Sequence, residues 1–400
     1  MKRVVVSGLG SVSPAGINIQ ETWGNVYSKK NCFSSCDVAG VKFCGKVDEK
    51  FSSSLSKKDL HYMDRVSQFA VVAAQEALKK SEVDFEELKN NRVGIFVGSA
   101  MGGISTLFEN VIKGSEDLNS ISLLVMPMSL SNMIGTNISI KYGITGPVFT
   151  YNSACASSSV AIGEAFRKIQ HGECDVAVAG GSEACVIPHV FASFSKLKAI
   201  STCDDIDSVC VPFSKNRSGF LLSEGASFLV LEEYEHAKKR NAPVYCEVLG
   251  YASNSDAKSL VVPSSTGIRE CIRQALEDAS LAPEKIEYIN AHGTGTVAND
   301  NAEAEAIKSI FEESPFVSST KSIHGHMLGA SGAIESVLCS LMIKNKKLLA
   351  QKNVLKQDIE DEFSELKFLL DGPVDYKGGA VMNNSFGFGG DNVVLIFGQC

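Results

Sequence analysis

No stretch of the sequence approaches the roughly 20 consecutive apolar residues that a membrane-crossing helix needs. Lys2 and Arg3 precede an apolar run, but it gives way at Gly8-Leu9-Gly10-Ser11, too soon for the apolar region and cleavage site of a secretory signal. A cytoplasmic protein is therefore expected. There is no basic excess either: 38 Lys and Arg stand against 46 Asp and Glu, a net charge of −8. Nucleic acid is thus excluded as the main partner, since phosphate backbones call for a basic face. An acidic partner would have to dock on a local basic patch. No Walker A pattern occurs, and Ser13 stands where a dinucleotide-binding turn begun at Gly8 and Gly10 would place its third glycine. The 12 cysteines are scattered, and the closest pair, Cys32 and Cys36, has no second pair at zinc-site spacing. Reduced thiols and no metal are expected, in a chain long enough to need no covalent staples.

What remains is an ordinary globular composition, 44% hydrophobic with 34 Gly, over 400 residues. Domains commonly run to about 100–200 residues, so two packed units are expected. Val4-Val5-Val6 reads as a buried strand and Gly8 to Gly16 as the turn after it. Phe69 to Lys80 has helical spacing, and the strand Val93 to Val97 runs into the glycine loop Gly98 to Gly103. The same unit recurs: a helix from Cys271 to Ala279, a strand from Ile286 to Ala291, and the loop His292-Gly293-Thr294-Gly295-Thr296. Gly225 before an apolar strand is matched by Gly387-Phe388-Gly389-Gly390 before Val393 to Phe397. This predicts a duplicated α/β chain with halves 1–241 and 242–400, and largely parallel strands with helices on their faces.

Cys155 lies between a predicted strand, Pro147 to Tyr151, and a predicted helix, Ala156 to Gln170. Free N–H groups and the helix dipole at such a junction stabilise a thiolate and lower the thiol pKa. The same N–H groups serve an oxyanion. Its neighbours are small: Ser153, Ala154, Ala156, Ser157 and Ser158. Most cysteines are inert buried residues, so the histidines decide. There are only 7. His292 and His326 both sit in Gly-rich, hydroxyl-rich loops after predicted strands, where backbone and ligand approach closely.

Four segments together, Asn152-Ser153-Ala154-Cys155, Ala291-His292-Gly293-Thr294-Gly295-Thr296, Lys321 to Gly325-His326, and Asn384-Ser385-Phe386-Gly387-Phe388-Gly389-Gly390, resemble the motif set of the β-ketoacyl-acyl-carrier-protein synthases. The likeness is to the elongating Cys-His-His ketosynthases of the thiolase superfamily, and covers the whole chain in order. It implies an α/β thiolase-like fold of five αβαβα layers, usually dimeric. It also implies decarboxylative Claisen condensation, with the substrate on the phosphopantetheine arm of an acyl carrier protein and no cofactor of the enzyme's own. By motif, Cys155 is the nucleophile and His292 and His326 the enolate-stabilising donors. Lys321 and Glu335 form a supporting ion pair, and the N–H groups of Cys155 and Phe388 form the oxyanion hole. Thr294 and Thr296 hold the pantetheine arm, and Phe388 is a gate on its Gly-flanked loop. Phe194 and Met101 match acyl-pocket positions, Met101 reaching across a dimer interface. No catalytic role falls to His324, where the family usually carries a small residue.

The departures touch partner and substrate. Lys57 and Lys58 remain on the carrier-docking helix, but His61 and Tyr62 stand where basic residues are common. Lys196 and Lys198 form a second small patch. Asp391 replaces a usual Thr, and Ser255-Asp256-Ala257-Lys258 lacks an aromatic-His pair often found there. These changes lean toward the ketosynthase of a dedicated type II polyketide or polyene pathway, with housekeeping fatty-acid elongation as the alternative and a chain-length-factor-like subunit as a candidate partner. Two other classes are disfavoured. A non-catalytic chain-length subunit typically lacks the Cys. A degradative thiolase carries a second Cys in the last glycine loop, where this chain has Phe386 and Phe388.

Overall fold

The computed structural model describes residues 1–84, 86 and 92–400. Its frame is an 11-stranded sheet. The first part of the chain supplies β1 (Val4–Val12), β2 (Val93–Gly98), β3 (Val148–Tyr151), β4 (Val176–Glu183) and β5 (Gly225–Glu233). The second supplies β6 (Cys246–Ser255), β7 (Ile286–Asn290), β8 (Phe316–Ser318), β9 (Lys367–Phe368), β10 (Ala380–Phe386) and β11 (Asp391–Gly398). The spatial order is β9-β8-β7-β10-β11-β6-β1-β5-β4-β2-β3.

Divided between β6 and β1, this order contains one pattern twice. β2 runs parallel to β3 and β4, β4 antiparallel to β5, and β5 antiparallel to β1. β7 runs parallel to β8 and β10, β10 antiparallel to β11, and β11 antiparallel to β6. The two copies join where β1 and β6 pair antiparallel. The expected duplication is present. The expectation of largely parallel pairing holds only for the outer three strands of the first copy and the outer four of the second, where β9 adds to β8 in parallel. β5 and β11 follow their predecessors without a right-handed helical crossover and so come back antiparallel.

Two helices, Ser157–Gln170 and Ser331–Asn345, lie between the copies. Ile162, Phe166, Ile334 and Leu338 pack there with Val4 and Leu229 of one sheet half and Val393 and Leu395 of the other. Every residue from Ser331 to Ile343 is buried; a helix apolar or small on all sides belongs inside. The helix Arg65–Ser81 covers the outer face of the first copy through Phe69, Ala73 and Ala77. Ser265–Asp278 and Val297–Ile310 cover the second through Ile272 and Ile307. The layers are thus αβαβα.

One element contradicts the pattern reading. Gly8 and Gly10 are not a turn; β1 runs straight through them. A Cβ on Gly8 would lie 2.2 Å from the Ala77 carbonyl oxygen, and one on Gly10 2.0 Å from that of Ala73. These glycines let helix Arg65–Ser81 press against the strand, so they mark close approach and not a chain reversal.

Candidate active site

Loops at the C-terminal ends of β3, β7, β8 and β10 bring Cys155, His292, Lys321 and Phe388 to one place. In sheets of this kind a crevice outside the carboxyl ends of parallel strands is where ligands sit. Cys155 follows β3 on a single 3-10 turn, Ala154–Ala156, that feeds helix Ser157–Gln170. The reversal forces Ala154 to φ +47°, a left-handed conformation costing about 1–2 kcal/mol for a residue with a Cβ. Ser157 latches it: its hydroxyl donates to the Ala154 carbonyl at 2.6 Å and accepts from the Ser153 N–H at 3.0 Å. Gly387 makes the opposite wall. A Cβ there would meet the Ser153 oxygen at 2.6 Å, so only glycine brings the Phe388 loop against the nucleophile turn.

His326 Nε2 lies 3.2 Å from Cys155 Sγ, and its Nδ1 lies 2.8 Å from Ser331 Oγ. The His292 ring stands 5.5 Å from the His326 ring, nearly perpendicular to it. His292 Nδ1 is 3.4 Å from Lys321 Nζ, which is ion-paired to Glu335. An ammonium has only donors, so His292 Nδ1 is the acceptor and its Nε2 carries the proton. The His292 main chain is fixed separately: Glu303 accepts from the N–H groups of His292 at 2.9 Å and Gly293 at 2.8 Å, and from Asn384 Nδ2 at 3.0 Å.

Burial pushes the Cys155 thiol up to about 12, outweighing the pull of Lys321 and of the Phe388 and Cys155 N–H groups, which hydrogen-bond the sulfur. The expectation of a lowered thiol pKa is therefore corrected: the helix terminus is present, but desolvation by the surrounding side chains outweighs it. Both histidines are held well below their ordinary value, His292 by burial, Lys321 and His326, and His326 by burial, Lys321 and His324. The resting site is thus a neutral thiol against neutral imidazoles. Burial likewise raises Glu303 and Glu335 to about 7, the latter against the pull of Lys321.

A cavity of about 380 Å³ opens over these groups, lined by Cys155, His292, His326, Thr294, Thr296, Phe194, Lys198 and Phe388 among others. Thr294 Oγ1 and Thr296 Oγ1 are 2.9 Å apart. Phe388 is 36% exposed at the mouth, its ring 6.5 Å from that of Phe194. Leu197, Val261, Val262 and Val297 complete an exposed apolar rim. Met101 does not line the cavity; it packs against the apolar cluster that contains Cys155, Phe194 and Leu328. Lys198 stands at the mouth and Lys196 is exposed nearby in sequence, whereas Lys57 and Lys58 are exposed on the separate helix Lys57–Tyr62. Asp256 of the departing segment is buried, accepting from Ser264 N–H at 2.8 Å and Asn392 Nδ2 at 2.7 Å. The adjoining loop meets the Phe388 loop where Gly389 N–H donates to Leu260 at 2.8 Å.

Several contributors escaped the sequence reading. Glu303 and its neighbour Asp300, which accepts from Gly295 N–H at 3.2 Å, are signalled by two acids one helical turn apart on a face that must be buried. Ser331 carries no local signal. Phe220 stands edge-on to both Phe194, at 5.1 Å, and His326, at 5.2 Å; its spacing gives no hint of this.

Family comparison matches residues 1–237 to "Beta-ketoacyl synthase, N-terminal domain" and 245–355 to "Beta-ketoacyl synthase, C-terminal domain". The chain is 36% identical over 409 residues to the 3-oxoacyl-[acyl-carrier-protein] synthase 2 of Staphylococcus aureus (strain COL), covering 99% of this chain and 98% of that one. Two solved structures align over the full chain at 30% identity and a TM-score of 0.92. One is a ketosynthase bound to the hexaketide in complex with its type II PKS acyl-carrier protein, AntDE:AntF, covered over 100% of its length. The other is the ishigamide ketosynthase/chain length factor, covered over 99%.

Proposed function

The chain belongs to the β-ketoacyl synthase family, and from that premise we propose how its residues divide the work of an acyl-transferring condensing enzyme. The carrying observation is that one sulfur and two imidazoles from three distant segments share one cavity, with His326 Nε2 3.2 Å from Cys155 Sγ.

Cys155 sulfur attacks the carbonyl of an acyl thioester as its proton passes to His326. The tetrahedral oxyanion is held by the N–H groups of Cys155 and Phe388. It collapses as the carbon–sulfur bond to the carrier breaks, and the proton leaves with the pantetheine thiol. A malonyl thioester then enters past Phe388, its arm held by the hydroxyls of Thr294 and Thr296. Its carbonyl accepts from His292 Nε2–H and from His326, which now takes its Nδ1 hydrogen bond from Ser331. Scission of the bond to the carboxylate releases carbon dioxide and leaves the electron pair as an enolate. Each such donor lowers the barrier by about 3–4 kcal/mol. The enolate carbon attacks the acyl-Cys155 carbonyl, the tetrahedral oxyanion collapses with scission of the carbon–sulfur bond, and the departing Cys155 sulfur takes the Nε2 proton of His326, which one proton from solvent replaces. Lys321 and Glu335 keep His292 in the donor tautomer, and Phe194 and Met101 receive the acyl chain.

The substrate arrives on the phosphopantetheine arm of an acyl carrier protein, whose acidic surface suits Lys198 at the mouth and the exposed Lys196, with Lys57 and Lys58 on a separate helix. The halves 1–241 and 242–400 act as one unit because the nucleophile comes from the first and both histidines from the second. The proposed setting is cytoplasmic, as a homodimer or paired with a chain-length-factor-like subunit; among the described residues no helix is long and apolar enough to cross a membrane. The pathway reading leans to a dedicated type II polyketide or polyene synthase. It is supported by the thinned basic patch at His61 and Tyr62, by the altered Ser255–Lys258 segment and by the likeness to a type II PKS ketosynthase and to a ketosynthase/chain length factor. Fatty-acid elongation is the alternative, favoured by the 36% identity to the S. aureus enzyme. Assay of the purified protein with candidate carriers decides: efficient turnover of saturated chains on the fatty-acid carrier alone overturns the specialised reading.

A further inference from the structure

Glu183 ends β4 with its side chain fully buried; its charge raises the Cys155 thiol, but it makes and breaks no bond in the chemistry above. Burial raises its pKa to about 7 despite the donors around it. One is the Cys185 thiol, two residues further along the chain; the others come from two loops. The loop after β2 contributes Ala100 N–H at 2.7 Å, Met101 N–H at 3.2 Å and Ser99 Oγ at 3.3 Å. The loop that leaves His326 contributes Gly329 N–H at 3.2 Å. The two loops are in contact: a Cβ on Gly329 would sit 2.4 Å from Ala100 N and 2.7 Å from Glu183 Oε2. Both deliver an apolar side chain, Met101 and Leu328, to the cluster that surrounds Cys155 with Phe194.

An acceptor-only group is the side chain that suits this position. Glutamine has the same shape, but its amide would turn an N–H toward backbone N–H groups, leaving buried donors without partners. We propose that Glu183 is a positioning residue for the acyl chain: its carboxylate clamps the Met101 loop to the Leu328 loop and so sets the apolar wall that receives the chain as Cys155 is acylated. The inference rests on the ketosynthase reading. It concerns one half-reaction, because the His292 ring is held by Lys321 and the His326 ring by Ser331, and neither ring hydrogen-bonds Glu183.

The experiment compares Cys155 acylation by butyryl and dodecanoyl carrier thioesters, followed by intact-protein mass, with carbon dioxide release from the malonyl carrier. Wild-type acylation and decarboxylation together test the underlying reading; the variants test the clamp. In Glu183→Gln, dodecanoyl transfer should fall about tenfold more than butyryl transfer, with decarboxylation within about twofold of wild type, since displacements under 1 Å cost rates on this scale. Gly329→Ala keeps the carboxylate and wedges the loops apart at a position whose φ is not left-handed. It should give the same chain-length-dependent loss, and it decides alone should Glu183→Gln not fold. Loss of acylation equally at both chain lengths, or loss that decarboxylation shares, or no loss in a folded variant, overturns the proposal.

Discussion

Cys155 Sγ and His326 Nε2 are 3.2 Å apart, and both groups are uncharged at rest. A thiolate–imidazolium pair would need the histidine pKa to lie above that of the thiol, and burial drives the two the other way. The pH dependence of alkylation reads this out. The thiol is raised from 9.0 to about 12, so the thiolate fraction grows with each unit of pH across the whole accessible alkaline range. Iodoacetamide labelling of Cys155 in the free enzyme should therefore rise without a plateau through pH 10. A plateau below pH 8 would show an ion pair and remove the neutral-thiol reading.

Lys321 does two things at once, and they separate. It neutralises Glu335, whose Oε2 has no hydrogen-bond partner among the described residues, and it donates to His292 Nδ1. Lys321→Met should cost about 3–5 kcal/mol in denaturant unfolding, because it strands a buried carboxylate. Adding Glu335→Leu should restore most of that stability. Malonyl decarboxylation should stay low in both variants, since nothing then fixes the His292 tautomer. If the double variant regains decarboxylation, Lys321 acts only as a counter-charge.

The chemistry was more legible in the sequence than the scaffold. Cys155, His292 and His326 each lie in short segments whose glycines and hydroxyls signal a site, and they converge as expected. The strand through Gly8 and Gly10 reads as a turn because a glycine's local signal is the same whether it permits a left-handed φ or a close neighbour; only the packed helix distinguishes them. The thiol pKa is hidden from the sequence for a related reason, as desolvation is a property of the whole enclosure and not of the junction. Gly10→Ala tests the packing account. Its Cβ would fall 2.0 Å from the Ala73 oxygen, so the strand must shift, with destabilisation of about 1–3 kcal/mol or more by overpacking. A wild-type melting temperature would show that helix Arg65–Ser81 yields freely.

Charge at the cavity mouth should act on carrier encounter and not on bond making. Lys198 lines the mouth, and Lys57 and Lys58 do not. Lys198→Glu should raise the KM for the carrier-bound substrate by about tenfold at low ionic strength, with kcat nearly unchanged and the difference shrinking as salt is added. A malonyl pantetheine substrate without its protein should show no such change. Equal sensitivity of the two substrates would place Lys198 on the pantetheine arm instead of on the protein partner.

The division of labour between the sulfur and the imidazoles makes the sharpest demand. Cys155→Ala removes the only proposed acyl acceptor and should abolish condensation. Cys155→Gln also abolishes it, but leaves a neutral carboxamide where an acyl-Cys thioester would stand. His292 stays fixed by Lys321 and by Glu303 through its main chain, and His326 by Ser331. Carbon dioxide release from the malonyl carrier should therefore continue in Cys155→Gln, and its product should be acetyl carrier with no chain extension. His326→Ala should act in the reverse sense, cutting decarboxylation by about a hundredfold or more, as loss of an oxyanion donor does, while acylation of Cys155 falls less. A Cys155→Gln enzyme that is folded yet releases no carbon dioxide would mean the sulfur takes part in decarboxylation, and the roles assigned to the two rings would then be wrong.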